Sequence, residues 1–153
     1  MRDINSVMEQ AEQICLARGK QLTSKRKLIL SALLHADQPL SAYELIDYCK
    51  RYFAQNIQAM SVYRILDFLE AEHLAHKLNI SNKYVICSQI ECGHEHGVPQ
   101  FLICFQCGKV SEIAAEPKVI SSVCANARQE GFTVRSPQFE ISCVCDDCAK
   151  NTP

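Results

Sequence analysis

Two pairs of cysteines in the second half of the chain have the spacing of metal ligands. Cys104 and Cys107 form one C-x-x-C pair, and Cys145 and Cys148 form the other. Two thiolates at this spacing converge on one tetrahedral ion, so the two pairs together supply the four sulfur ligands of a structural zinc site. Because 37 residues separate the pairs, such a metal would tie the start of this region to its C-terminal tail.

A dithiol redox site and ordinary packing of thiols are the alternative interpretations of these pairs. A redox C-x-x-C motif should follow a strand and open a helix, whereas Cys104 and Cys107 are expected between two short strands. Cys143 lies beside the second pair and could replace one of its members. The spacing favours Cys145 with Cys148.

Composition indicates a folded chain in a reducing compartment. The sequence has 153 residues, of which 48% are hydrophobic and 22% charged, which suits one ordinary domain or two small ones. No apolar run approaches the roughly 20 residues of a membrane span, and acidic residues interrupt the region where a secretory signal would lie. We therefore expect a cytosolic protein, in which ten cysteines bind metal or pack more often than they form disulfides.

A second group of potential ligands lies around the junction between the two halves. His76 and Cys87 fall on two predicted strands, His94 and His96 follow in a polar stretch, and Glu112 lies just beyond the first cysteine pair. Thiolate, imidazole and carboxylate together suit tetrahedral zinc. A metal held by such a set would fix the angle between the halves. The alternatives are a surface histidine, a buried cysteine and solvated loop residues.

The first half has the charge and side chains to bind DNA. Residues 1–85 carry 11 Lys/Arg and 9 Asp/Glu, a net of +2, whereas residues 86–153 carry 5 and 8, a net of −3. Five basic residues without an acidic one could contact phosphates: Arg18, Lys20, Lys25, Arg26 and Lys27. Tyr63 and Arg64 fall at the start of a predicted recognition helix, where arginine can read a guanine edge. The alternatives are a solvated first helical turn for the basic residues and a partly buried Tyr63.

The elements that position these residues predict a winged helix-turn-helix in the first half. Apolar periodicity and capping residues predict a helix over 4–18, a second capped by Thr23 through about Ala36, and a third opened by a capping box of Ser41 and Glu44. Ser61 is expected to cap a fourth helix, with its apolar side chains on one face. Two strands, 74–80 and 83–87, would then form the hairpin.

The second half predicts a small α/β unit. Strands are expected over 101–104 and 109–113, then a helix from Pro117 to Gln129, and a returning strand over 132–143. The fold class is therefore α+β. We expect a DNA-binding domain over 1–88, a hinge over 89–99, and a dimerisation and structural-zinc domain over 100–153.

Several motifs resemble those of the ferric uptake regulator (Fur) superfamily, and they span nearly the whole chain. They are LTSKR at 22–26, SAYEL at 41–45, SVYRILDFL at 61–69, and CFQCGKV at 104–110 with CDDC at 145–148. Within the superfamily, HK at 76–77 followed by YVIC at 84–87 is similar to the zinc uptake regulator (Zur) branch. Iron and peroxide sensors of the superfamily use a histidine between the two cysteine pairs, and this chain has none there.

The resemblance implies a homodimeric bacterial repressor that binds double-stranded operator DNA and controls zinc-uptake genes. It implies one structural zinc on the two cysteine pairs and one regulatory zinc per chain, held by His76, Cys87, His96 and Glu112. Tyr63 and Arg64 match the DNA-contacting pair of the superfamily. The junction is slightly longer than is typical of the superfamily, so His94 could replace His96.

Other functions remain open from the sequence. No nucleophile–base signature or phosphate-binding glycine loop indicates an enzyme, and no small-molecule substrate other than the metal ion is expected. An iron- or peroxide-sensing regulator of the same superfamily is the main alternative. A regulator that loses zinc when Cys87 or Cys143 is oxidised and an oxidoreductase using one C-x-x-C pair are two further ones.

Overall fold

The computed structural model describes residues 3–92, 97–135 and 137–151. It divides between residues 93 and 94 into two compact units. The first contains four α-helices, a two-stranded sheet and a short 3₁₀ helix (Ile90–Cys92), and the second contains a three-stranded sheet with two α-helices. This confirms the α+β class, with a winged helix-turn-helix followed by a small α/β unit. In the described part of the chain, every helix is too short or too polar to cross a bilayer.

The helices of the first unit begin mainly where side chains satisfy free backbone amides. They are α1 (Ile4–Ala17), α2 (Ser24–Ala36), α3 (Ala42–Phe53) and α4 (Ala59–Ala71). Asp3 caps α1 and Thr23 caps α2. At α3 the Ser41 hydroxyl accepts from the Glu44 amide at 3.1 Å, and the Glu44 carboxylate accepts from the Ser41 amide at 2.7 Å. These two bonds confirm the predicted capping box.

The predicted N-cap of α4 is wrong by three residues. The helix begins at Ala59 with Gln58 as its N-cap and no side-chain cap bond, and its first backbone bond runs from the Val62 amide to the Gln58 carbonyl at 3.1 Å. Ser61 therefore lies inside the first turn, and Tyr63 and Arg64 lie in the second. The apolar face is as predicted, because the four periodic side chains are buried: Val62, Ile65, Leu66 and Leu69.

The hairpin that follows α4 forms the wing of the first unit. β1 (Ala75–Leu78) and β2 (Lys83–Ile86) pair antiparallel, with His76 opposite Val85. The turn between them uses Asn82 in the left-handed region, at φ 55°, a conformation that asparagine tolerates. β1 is shorter than predicted mainly because the turn takes up the residues between Leu78 and Lys83, and β2 ends one residue early, at Ile86.

The second unit is built on a sheet with the strand order β4–β3–β5. Its elements are β3 (Pro99–Cys104), β4 (Val110–Ala114), α5 (Pro117–Gln129), β5 (Phe139–Cys143) and α6 (Asp146–Lys150). β3 is antiparallel to β4 and parallel to β5. The predicted strand over 132–143 is therefore wrong in its first part. A parallel strand needs a crossover that returns to the same end of the sheet, and the chain between Gly131 and β5 belongs to that connection.

Candidate metal centre and nucleic-acid interface

The four cysteines of the two C-x-x-C pairs come together in the second unit. Their sulfur atoms all lie within 4.8 Å of one another, and the Cys107 and Cys145 sulfurs are 3.7 Å apart. Cys104 is buried and Cys107 is exposed, while Cys145 and Cys148 are partly buried. Four sulfurs at such distances fit the donor set of a tetrahedral zinc centre. We name this group the four-cysteine cluster.

Backbone turns and a short helix create this cluster. Cys104 ends β3, and a tight turn follows in which the Gly108 amide donates to the Cys104 carbonyl at 2.9 Å. Gly108 has φ +77°, a conformation that residues with a side chain rarely adopt. Cys145 is the N-cap of α6, so the helix turns Cys148 back toward the first pair. The predicted convergence of the two pairs is thus a consequence of two local turns.

The electrostatics of the cluster favour a bound cation. Donation from the backbone amides of Cys107 and then Cys145 lowers the pKa of the Cys104 thiol to about 6. Hydrogen bonds with the thiols of Cys145 and Cys107 raise the pKa of Cys148 to about 12. One thiol is therefore prepared to ionise while a neighbour retains its proton. A divalent cation removes this conflict, because it compensates the charge of several thiolates at once.

The second predicted ligand group is only partly described by the structure. His76 lies on β1, and Cys87 follows β2, where its amide donates to the Leu74 carbonyl at 2.9 Å. A ring nitrogen of His76 and the Cys87 sulfur lie within 4.8 Å of each other. Glu112 lies on β4 of the second unit, opposite Phe101. His94 and His96 lie outside the described residues.

The predicted base-reading residues are exposed on α4. Tyr63 retains 38% of its surface, and Arg64 is also exposed. Both lie off the buried stripe of α4. Lys25 is exposed in the first turn of α2. A recognition helix needs this arrangement, with its apolar face in the core and polar side chains free to enter a groove.

Three of the five basic residues in the predicted phosphate-binding run already have partners inside the unit. Lys27 pairs with Glu12 at 3.0 Å. The Arg26 guanidinium lies 3.6 Å from the centre of the Phe68 ring and donates to the Gln21 carbonyl at 2.7 Å.

Arg18 is the third of these residues. It donates to both the backbone carbonyl and the carboxylate of Glu72, at 3.0 and 3.1 Å. Phe68 and Glu72 were not predicted as partners of the basic residues. The tertiary fold brings the two arginines to the Phe68 ring and to the Glu72 carboxylate. The four-residue spacing of Phe68 and Glu72 is the only signal of these contacts in the sequence.

A winged helix-turn-helix joined to a four-thiol centre places the chain among winged-helix proteins with a metal-binding unit. A sequence profile of the ferric uptake regulator family matches residues 17–142. The zinc uptake regulation protein of Escherichia coli (strain K12) is 33% identical over 144 residues, which cover 94% of this chain and 82% of that protein. The chain therefore belongs to the ferric uptake regulator family, which confirms the resemblance of its motifs.

Two solved structures give the same result at the level of the fold. A zinc uptake regulator complexed with zinc and DNA has a TM-score of 0.86 and 31% identity, covering 98% of this chain and 97% of that chain. The crystal structure of holo XcZur has a TM-score of 0.81 and 34% identity, covering 95% of this chain and 99% of that chain. These similarities agree with the resemblance to the zinc branch of the superfamily.

Proposed function

We propose that this protein is a zinc-responsive transcriptional repressor that binds operator DNA as a homodimer and controls zinc-uptake genes. The single observation that carries the proposal is the similarity over nearly the whole chain to a zinc uptake regulator complexed with zinc and DNA. The exposed recognition residues on α4 and the four-cysteine cluster supply the two chemistries that such a protein needs. A repressor of this kind works in the cytoplasm, needs no catalytic residue and takes no small-molecule substrate other than the metal ion.

The four-cysteine cluster is proposed to hold one structural zinc per chain. Four sulfurs within 4.8 Å and an amide of Cys145 that donates to the Cys104 sulfur at 3.4 Å suit a closed site without an open coordination position. These ligands come from the end of β3 and from α6. Zinc bound there would supply a cross-link between two ends of the unit, which has few buried side chains of its own.

A second, regulatory zinc is proposed on His76, Cys87, His96 and Glu112, with His94 as the alternative to His96. The proximity of the His76 ring to the Cys87 sulfur supports it, because one imidazole and one thiolate are already presented together on the wing. One thiolate with imidazoles and a carboxylate is a ligand set that suits zinc. The wing and the second unit would supply ligands to the same ion, which couples zinc binding to the arrangement of the two units.

The surface of the second unit supports the homodimer. α5 has 13 residues and buries none of them, although its side chains are amphipathic. Five large apolar side chains of this unit retain 37–46% of their surface: Ile113, Val119, Val123, Ile141 and Val144. Apolar patches of this kind mark interfaces. A second copy of the chain is the proposed partner, because two recognition helices related by twofold symmetry read two half-sites.

DNA recognition is proposed to divide between base and phosphate contacts. Arg64 would donate to a guanine edge, and Tyr63 would contact a sugar, a phosphate or a thymine methyl. The exposed Lys25 would contact the backbone. Arg26 was predicted as a phosphate contact as well, although its guanidinium contacts the Phe68 ring and the Gln21 carbonyl inside the unit. A coupling of about 1–3 kcal/mol between zinc and DNA would change operator affinity roughly 5- to 150-fold.

Equilibrium binding tests the proposal directly. The protein would be titrated onto a duplex selected from a random-sequence pool, at fixed free zinc and again after a chelator. We expect specific binding in zinc and its loss in chelator. Equal binding in both conditions would refute zinc regulation, and binding restored by iron(II) but not by zinc would favour an iron sensor.

A further inference from the structure

One side of α4 is in contact with an arginine at the end of α1 and another in the first turn of α2. Arg64, Phe68 and Glu72 follow one another at four-residue intervals, so they lie along one side of α4. Arg64 is exposed, Phe68 is partly buried, and Glu72 retains only 8% of its surface. The proposed base contact is therefore the solvent end of a stripe whose other two residues are held inside the unit.

Arg26 holds the middle of this stripe. Its guanidinium lies 3.6 Å from the centre of the Phe68 ring, and one of its nitrogens donates to the Gln21 carbonyl at 2.7 Å. The ring contact is a cation–π interaction, and the carbonyl bond fixes the guanidinium to the segment between α1 and α2. Arg26 thus connects this segment to α4, one turn beyond Arg64.

Arg18 holds the far end of the stripe in a similar way. It follows α1 and donates to both the backbone carbonyl and the carboxylate of Glu72. Glu72 is the C-cap of α4, so this contact fixes the end of the helix. Arg18 and Arg26 were predicted from the sequence as phosphate contacts. They instead connect two successive turns of α4 to the end of α1 and to the first turn of α2.

We propose that Arg26, assisted by Arg18, is a positioning residue for DNA recognition and not a phosphate contact. It holds α4 in the position from which Arg64 reaches the base edges. The inference rests on the proposed operator binding and deepens it. A bidentate base contact tolerates little displacement, and the contacts with the Phe68 ring and the Gln21 carbonyl hold the Arg26 guanidinium against α4. The adjacent Lys25 is exposed and has neither constraint.

The salt dependence of binding separates the two roles. Arg26→Gln and the control Lys25→Gln remove the same charge from neighbouring positions. Each zinc-loaded variant would be titrated, over a range of salt, with the duplex selected by the wild type and with a scrambled duplex. Each lost phosphate contact reduces the log–log salt slope by about 0.9. Because a homodimer loses one contact per subunit, we expect a reduction of about 1.8 for Lys25→Gln.

The expected result for Arg26→Gln is different in each respect. The salt slope and the affinity for the scrambled duplex should match those of the wild type, while operator affinity falls by roughly 5- to 100-fold, as for a displaced base contact. A slope reduced like that of Lys25→Gln would overturn the inference. A wild-type protein that binds no duplex in excess zinc would instead refute the proposed function itself.

Two further variants guard against a general loss of folding. Arg26→Lys keeps the charge but lacks the planar group, so it should not restore operator affinity, whereas a simple phosphate contact would be restored. Phe68→Leu combined with Arg26→Gln should lower the operator-to-scrambled affinity ratio no further than Arg26→Gln alone, since both remove one contact. Recovery of the ratio by Arg26→Lys, or full additivity of the pair, would contradict the proposal. Thermal melts establish that each variant is folded at the assay temperature.

Discussion

At the scale of single residues, the protein presents few side chains for recognition and pairs many of the others. Tyr63, Arg64 and Lys25 are exposed. Arg18, Arg26 and Lys27 lie in the same half of the chain, but each contacts another side chain of the unit. The positive charge that each chain offers to DNA is therefore modest and covers a small contact area. Such a footprint suits a dimer, because two copies double the contacts made with DNA.

Arg64→Ala should weaken operator binding by about 1–3 kcal/mol, because a bidentate contact to a base would be lost. The zinc content should be unchanged, because Arg64 lies on α4 and is not one of the proposed ligands. Fluorescence anisotropy with the selected duplex measures the first effect and elemental analysis the second. Arg135→Ala, at an exposed position of the second unit, is the control. Normal operator binding by Arg64→Ala would remove this residue from the interface.

Cys87→Ser should retain one tightly bound zinc per chain but lose zinc-dependent operator binding. A serine hydroxyl is a poor substitute for a thiolate ligand, while the four-cysteine cluster is unaffected. Cys49→Ser changes another buried cysteine, in α3, and should keep both zincs. Elemental analysis and binding assays on the same samples check both variants. Two tight zincs in Cys87→Ser would contradict the proposed ligand.

Cysteine chemistry could be inferred from the sequence, whereas arginine partners could not. The C-x-x-C spacing is enough to predict that the two sulfurs of a pair converge, because a local turn brings them together whatever the rest of the fold. The contact of Arg26 with Phe68 joins residues on two helices that are far apart in sequence. Periodicity indicated that Tyr63 and Arg64 avoid the core, but it could not show that Arg26 is held by the helix that carries them.

At the scale of elements, the wing contacts the region of α3 in two places, one buried and one exposed. The backbones of Leu40 and Tyr84 exchange hydrogen bonds of 3.0 and 2.8 Å, which attach β2 to the segment that precedes α3. On the exposed side, Lys83 pairs with Glu44 at 3.1 Å. Glu44 therefore serves both the capping box and the contact with the wing.

Glu44→Ala should destabilise the first unit by about 0.5–1 kcal/mol, the lower part of the range for helix caps, because the carboxylate is partly exposed. Donation from the Ser41 amide, with a smaller contribution from Lys83, lowers the pKa of Glu44 below its ordinary value of 4.5. A carboxyl with a lowered pKa stabilises the fold above its unfolded pKa, and this contribution disappears as the pH falls through its folded pKa.

The stability difference between the wild type and Glu44→Ala should thus be constant near neutral pH and shrink below about pH 4.5. Chemical denaturation at several pH values measures it. Glu9→Ala, at an exposed position within α1, is the control and should change stability little. A difference that grows on acidification would contradict the capping role.

Capping residues and periodicity predicted most elements, and the errors have local causes. Thr23 and Ser41 are N-caps as expected, but Ser61 also has the type of an N-cap and lies inside the first turn of α4. β5 was predicted too long because apolar residues follow Gly131, and a sequence pattern cannot distinguish a strand from the connection that a parallel strand requires. Helix α6 was not predicted, since five residues are too few for a periodic signal.

At the scale of the whole molecule, α5 and the exposed sheet residues predict that the protein is functional only as a dimer. Val123→Asp should shift the protein toward monomers and weaken operator binding, because it places a charge in a desolvated apolar patch. Sedimentation velocity measures the shift. Ala125→Asp adds the same charge about 200° around the helix and should leave the dimer intact. A dimeric Val123→Asp would exclude this face as the interface.

The organisation of the chain into a helical unit followed by a sheet unit could be predicted from the order of its elements. The complete regulatory ligand set could not be predicted from local patterns. His94, His96 and Glu112 lie in segments that no local pattern brings next to His76 and Cys87. The structure describes His76 and Cys87 on the wing, while His94 and His96 lie outside the residues it describes. We predict that His96 is the ligand, with His94 as the alternative, and zinc content in variants of each histidine would distinguish the two.

The most direct test of zinc regulation is zinc per chain, measured before and after mild chelation, with operator binding followed in the same samples. We expect two zincs per chain at the start. Mild chelation should remove one of them together with operator binding, and added zinc should restore both. A single zinc that resists chelation, with operator binding unchanged throughout, would leave the four-cysteine cluster as a structural site and contradict the zinc-responsive switch.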